Sequence, residues 1–175
     1  GAAWAASGRR TLIIDANFRR PKAHAVFGVD VTPGLGDVLK NESELQSAIR
    51  PSGIDDLDIL TAGTPGTRQA ERLDTDAMSD LLTELSQKYS LVLVDVAPAI
   101  VSGDGVALAN RCDASLLVAR AMADKRGLVA RVKNELTDAR AEFLGVVVNA
   151  VRASAGGYFK RNIKAAHEYR TASSS

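Results

Sequence analysis

The stretch Thr11-Leu12-Ile13-Ile14-Asp15-Ala16-Asn17-Phe18-Arg19-Arg20-Pro21 decides the fold. Its aliphatic run has no polar alternation, as expected of a strand covered on both faces, and it delivers a carboxylate at its C-terminal end. The pattern recurs in Leu91-Val92-Leu93-Val94-Asp95, followed at a short distance by Pro98. Asp58 to Ala62, Ser115 to Ala119 and Leu144 to Asn149 are further short apolar runs. Between them lie helical stripes: Ala77, Met78, Leu81, Leu82 and Leu85 share one face, as do Leu128, Val129, Val132 and Leu136. Strands alternating with helices predict a doubly wound, mainly parallel α/β sheet of five strands.

Open sheets of this kind bind ligands at the C-terminal edge of their strands, where Asp15 and Asp95 would share one rim. A carboxylate there can hold a magnesium ion or take a proton from an attacking hydroxyl. The competing role is structural, because Asp also ends strands as a turn cap.

The 175 residues suit a single core, with 46% apolar and 25% charged residues, and no apolar run approaches the length of a membrane span. A net charge of +1 gives no overall field for nucleic acid. Basic residues concentrate instead between Arg152 and Arg170, which hold five Lys or Arg and one Glu. The single cysteine, Cys112, has no partner for an internal disulfide, and Asp113 beside it makes a poor setting for a thiolate. His24 and His167 give no zinc-ligand spacing, and no Ser-His-Asp or Cys-His arrangement is present.

Gly1 to Ser7 reads as the last turns of a helix closed by Gly8, with Trp4 expected to cover the core. With no initiating Met, the chain is expected to continue upstream. Arg19 to Asp56 is expected to form a long crossover with small helices, one capped by Ser43 with Gln46 and ending near Ile49 before Pro51. The organisation expected is a core over residues 1–152 and a basic, tyrosine-containing tail over 153–175, entered through Gly156 and Gly157.

Taken in order, several segments resemble bacterial tyrosine kinases (BY-kinases) of polysaccharide assembly. Asp15-Ala16-Asn17-Phe18-Arg19-Arg20-Pro21 resembles their Walker A-prime motif, an apolar strand leading into Asp-x-Asp, a basic pair and proline. Pro33-Gly34-Leu35-Gly36-Asp37-Val38-Leu39 is similar to their Pro-Gly-Leu-Ser-Asp-Val-Leu segment. Leu60-Thr61-Ala62-Gly63 with Glu71-Arg72-Leu73 is similar to their Pro-Ala-Gly and Ala-Glu-Leu stretch. Asp95 with Pro98 matches Walker B, and Gly145-Val146-Val147-Val148-Asn149 matches the final strand. The matches run over about residues 9 to 152.

The resemblance implies a P-loop NTPase-like fold with deviant Walker motifs, related to division-site and partitioning ATPases. It implies a cytoplasmic domain at the inner face of the bacterial plasma membrane, using ATP and Mg2+ to phosphorylate tyrosines in a neighbouring subunit's tail. The implied partners are a membrane polysaccharide co-polymerase region or adaptor, further copies of the chain, and a cognate tyrosine phosphatase, with no nucleic acid. By position, Asp15 becomes the base or metal-organising acid, Asn17 its catalytic neighbour and Asp95 the Walker B acid. Asp15 and Asp95 become the metal ligands, Asn149 the contact to the nucleotide base, Arg19 a phosphate contact, and Tyr158 and Tyr169 the phosphoacceptors.

Three departures bear on the expected activity. The sequence holds no Gly-x-x-x-x-Gly-Lys-Ser/Thr loop, nor the strand that leads into one; Gly8-Arg9-Arg10-Thr11 enters a strand where such a loop opens a helix. This chain by itself is therefore expected to bind ATP poorly, and the slot of an interior strand is expected to stand open. Asn17 replaces an Asp and loses a negative charge. The tail has two tyrosines where the family carries a denser cluster. Two rival functions follow: a noncatalytic kinase-like regulatory module of the assembly machinery, and a MinD- or ParA-like ATPase, which Arg19-Arg20-Pro21 disfavours.

Overall fold

A computed structural model describes residues 1–64, 67–99, 103–121 and 123–150. Six strands and seven α-helices are present among them. Strand β1 (Thr11–Asp15) pairs in parallel with β3 (Leu57–Leu60) on one side and β4 (Leu91–Asp95) on the other. Strand β2 (Ile49–Ile54) runs antiparallel to β3 at the edge, giving the order β2-β3-β1-β4. Strands β5 (Ala114–Arg120) and β6 (Glu142–Asn149) form a separate parallel pair.

The expected α/β architecture is present, with two corrections. The expected crossover from Arg19 to Asp56 contains a strand: residues 49–54 extend along β3, with Pro51 and a register shift on an edge where a missing N–H costs no ladder bond. The sheet is also divided, since among the described residues β4 and β5 pair with no common neighbour.

The central strands β1 and β3 are buried on both faces, whereas the apolar runs of β5 and β6 are not: Leu116, Val118 and Val147 are left on one bare face. Leu12, Ile14 and Leu60 point into a cluster with Leu35, Leu73, Met78, Leu81 and Leu85, all buried. Met78, Leu81 and Leu85 come from α5 (Asp76–Lys88), with Leu82 partly buried beside them; Ala77, expected on the same stripe, turns to solvent instead. On the opposite face Leu57 and Ile59 pack against Ala5 of α1 (Ala2–Ala5) and partly buried Phe27 of α2 (Ala23–Phe27). Trp4 does not cover the core: it stays 40% exposed, with the Arg9 guanidinium 4.5 Å over its ring, while Ala5 takes the buried position. Gly8 closes this helix in the left-handed region, at φ 74°.

The short α3 (Leu35–Val38) and α4 (Leu45–Ala48) fill the crossover. The capping box expected at Ser43 does not form, because α4 starts from Glu44 in extended conformation without a side-chain cap. Half of that device operates one helix earlier, where the Asp37 carboxylate accepts from the Gly34 N–H at 2.8 Å, while Gly34 has no side chain to return the bond. A 3-10 helix over Thr67–Asp74 leads to α5, and α6 (Asp104–Ala109) and α7 (Arg126–Thr137) follow β4 and β5.

Candidate functional site at the carboxylate rim

Asp15 and Asp95 face each other across the β1–β4 ladder in register, and the Ala16 N–H donates to the Asp95 carbonyl at 2.8 Å. The two acids that the sequence places on one rim are therefore neighbours, at the C-terminal ends of adjacent parallel strands. Their surroundings differ. Asp15 is only 1% exposed and accepts three backbone N–H bonds: Asn17 at 3.1 Å on one oxygen, Lys22 at 2.8 Å and Ala23 at 2.9 Å on the other. The turn through Phe18, itself buried, brings the start of α2 back to β1, so this carboxylate both ends a strand and caps a helix.

Asp95 opens toward solvent at its side chain. Burial of part of the group, and then the charge of Asp15, push its carboxyl above the usual carboxylate range. Neighbouring carboxylates that repel in this way suit a divalent cation, which would remove the repulsion, so the pair fits a magnesium ion. Asp15 has fewer free lone pairs and is better arranged to orient than to move. Among the described residues no group of three or more His, Cys, Asp or Glu gathers for a metal, so further ligands would be water and phosphate oxygens.

The Asn17 side chain does not reach toward Asp95: its oxygen accepts the Arg20 N–H at 3.1 Å and closes the turn. Arg19 and Arg20 are exposed on that turn, available to an anion or a second subunit. Asn149 ends β6 in the separate strand pair, and its side-chain oxygen accepts the N–H of Ala150 at 2.7 Å. Tyr158 and Tyr169 lie outside the described residues. His24 sits on α2 half-buried. Cys112 is half-buried, and burial and then Asp113 push its thiol up, so the inert reading holds.

Sequence reasoning missed a second buried carboxylate behind the rim. Asp37 is 5% exposed and accepts from Gly34 and, at 3.1 Å, from the N–H of Thr64, in the loop that leaves β3 beside Asp15. Gln69 holds the other side of the same residue, donating to the Thr64 carbonyl at 2.5 Å. Burial raises the carboxyl of Asp37, but the hydrogen bonds from Thr64 and Gly34 and the charge of Lys40 outweigh it and bring it below the ordinary value. The three-residue spacing from Gly34 to Asp37 was the available signal, since it is the spacing from N-cap to N3.

Fold and rim together define an α/β domain of the P-loop ATPase type. The chain is 31% identical to the tyrosine-protein kinase YwqD of Bacillus subtilis over 151 residues, 86% of this chain and 64% of that protein. The solved kinase domain of the Escherichia coli tyrosine kinase ETK superposes with a TM-score of 0.83 at 31% identity, covering 89% of this chain and 61% of that one. The septum site-determining protein MinD of Pyrococcus horikoshii, solved with Mg-ADP, shares the fold at a TM-score of 0.72 and 23% identity, covering 88% of this chain and 63% of that one. No protein-family model matches. The chain belongs to the bacterial tyrosine-kinase (BY-kinase) family, and it spans less than two thirds of the length of the relatives just named.

Proposed function

We propose that this chain supplies most of the catalytic core of an ATP-dependent protein-tyrosine autokinase that regulates capsular or exopolysaccharide synthesis and export. The observation that carries the reading is the carboxylate pair at the rim, one acid immobilised by three backbone N–H groups and one partly open and raised in basicity. Bound Mg-ATP would supply the phosphoryl group and an electrophilic phosphorus. Asp15 and Asp95 would hold the metal, with Asp15 as the fixed post and Asp95 as the adjustable ligand or acceptor of the tyrosine proton. Arg19 would meet a phosphate, Asn149 the nucleotide base, and Tyr158 or Tyr169 of a neighbouring copy would present the hydroxyl.

The same reading places the domain at the cytoplasmic face of the plasma membrane, through an upstream segment or an adaptor of the co-polymerase type. Among the described residues no helix is long and apolar enough to cross a membrane. Residues 1–152 would form the core and 153–175 the tail that carries the acceptors.

Phosphotyrosine mass spectrometry on the complete gene product, incubated with ATP and Mg2+, tests this. Modification of Tyr158 or Tyr169 that disappears in Asp15→Asn and Asp95→Asn supports the reading; no ATP-dependent modification rejects it. Asn17 favours the noncatalytic regulatory module as the alternative, because an acid is replaced and the amide oxygen is committed to Arg20. Rejection in the first experiment would make that module the better description.

A further inference from the structure

A buried charge must recover its lost hydration through hydrogen bonds, so its place in a fold is seldom accidental. The Asp37 carboxylate is buried and bridges two segments: it accepts from the Gly34 N–H at the start of α3 and from the Thr64 N–H, 27 residues away from it along the chain. Gln69, also buried, donates from Nε2 to the Thr64 carbonyl, so both backbone groups of Thr64 are committed to buried side chains. Gly63 before it stands at φ 85°, and a Cβ there would lie 2.5 Å from Asp37 Oδ2. Leu35 and Gly36 complete the clamp, donating to the Thr61 and Ala62 carbonyls at 2.7 and 2.9 Å. Thr64 itself is exposed. These polar ties fix a turn at the surface and enclose no apolar core.

The place of the turn gives the clamp its use. Strand β3 runs parallel to β1 with Leu60 level with Ile14, so Thr61 follows level with Asp15 and residues 62–64 pass the C-terminal edge of the sheet. In the order β3-β1-β4 the turn flanks Asp15 on one side and Asp95 flanks it on the other. Loops at this edge of an open parallel sheet are where ligands bind, and a turn held by buried polar groups is ordered before the ligand arrives.

We propose that Asp37 is a positioning residue for nucleotide binding: through Gly63 and Thr64 it sets a fixed wall on the β3 side of the rim, against which the phosphates of a nucleotide held at Asp15 and Asp95 lie. The inference rests on the ATP reading of that rim. Gln69 supports the turn from its other side, and its Oε1 would stand 2.6 Å from a Cβ on Gly36. A side chain at Gly36 therefore displaces the flexible end of Gln69 and leaves the Asp37 carboxylate where it is.

The test measures the Kd of a fluorescent ATP analogue with Mg2+ on the complete gene product, with urea unfolding of each variant alongside. Asp37→Asn should raise the Kd by about tenfold. Gly36→Ala should raise it as well, with a smaller loss of stability. Tyr89→Phe is the control for lost stability, because it removes a hydrogen bond to Asp58 at the opposite edge of the sheet, and it should leave the Kd unchanged. An unchanged Kd in folded Asp37→Asn, or an equal rise in Tyr89→Phe, overturns the proposal. Should Asp37→Asn not fold, Gly36→Ala decides, and an unchanged Kd there overturns it. If the unsubstituted protein binds the analogue yet forms no phosphotyrosine with ATP, the kinase reading falls while the comparison of variants still decides the role of Asp37; if it binds no nucleotide, both fall.

Discussion

Asp15 and Asp95 are opposed in register at the ends of adjacent parallel strands, yet one is fixed by three backbone N–H groups and the other faces solvent. The two acids of one rim therefore divide the work: Asp15 holds the turn and α2 in place, and Asp95 is free to respond to a ligand. Replacing them should separate these roles.

Asp15→Asn removes the charge that strengthens three hydrogen bonds and puts an amide nitrogen where an acceptor is needed. Loss of stability of about 1–3 kcal/mol is expected in urea unfolding at neutral pH. Asp95→Asn removes a repelled, partly exposed charge and should leave stability unchanged or slightly raised. Equal destabilisation by the two substitutions would contradict the division.

Gly34 crosses the end of β3 in direct backbone contact, with Leu35 N–H donating to Thr61 and Gly36 N–H to Ala62. A Cβ at Gly34 would run into the backbone of Thr61 and Gly63, which no side-chain rotation can relieve. Gly34→Ala should cost about 1–3 kcal/mol, measured by thermal unfolding. At Gly103, where a Cβ meets nothing within 4 Å, the same replacement should cost less.

Tyr89 is buried, its hydroxyl donates to Asp58 at 2.8 Å, and the Arg10 guanidinium lies 4.9 Å over its ring. Burial first, and then the hydrogen bond to Asp58 and its charge, push the phenol up to about 12. Absorbance titration should show a tyrosine ionising near that pH, lost in Tyr89→Phe. Because the folded value lies above the unfolded one of 10.0, stability should fall as pH rises from about 10 toward 12, and the Phe variant should lack this part of the decline.

Asp37 has the opposite sign. Its folded value lies below the ordinary 3.8, so its contribution is present above that pH and is lost as pH falls through the folded value. Urea unfolding between neutral pH and pH 3 should show a smaller acid loss in Asp37→Asn, which starts from a lower stability at neutral pH. Amide hydrogen exchange at Thr64 should accelerate in that variant, since its N–H is tied to the Asp37 carboxylate.

Sequence by itself determined the strands that carry the rim, the stripe of α5 and the class of fold, because these are local matters: an unbroken apolar run, a 3.6-residue period and an acid at a strand end. It also brought Asp15 and Asp95 to one edge, since parallel neighbours end on the same side. Tertiary structure decided the rest. Pro51 and Gly53 conceal an antiparallel edge strand that only pairing with β3 makes extended, and the three donors of Asp15 lie up to eight residues away, where the turn through Phe18 returns them. The bare face of β5–β6 was equally invisible, because a run of Leu and Val reads alike whether one face is covered or two; covering is a property of what packs against the strand, not of the strand.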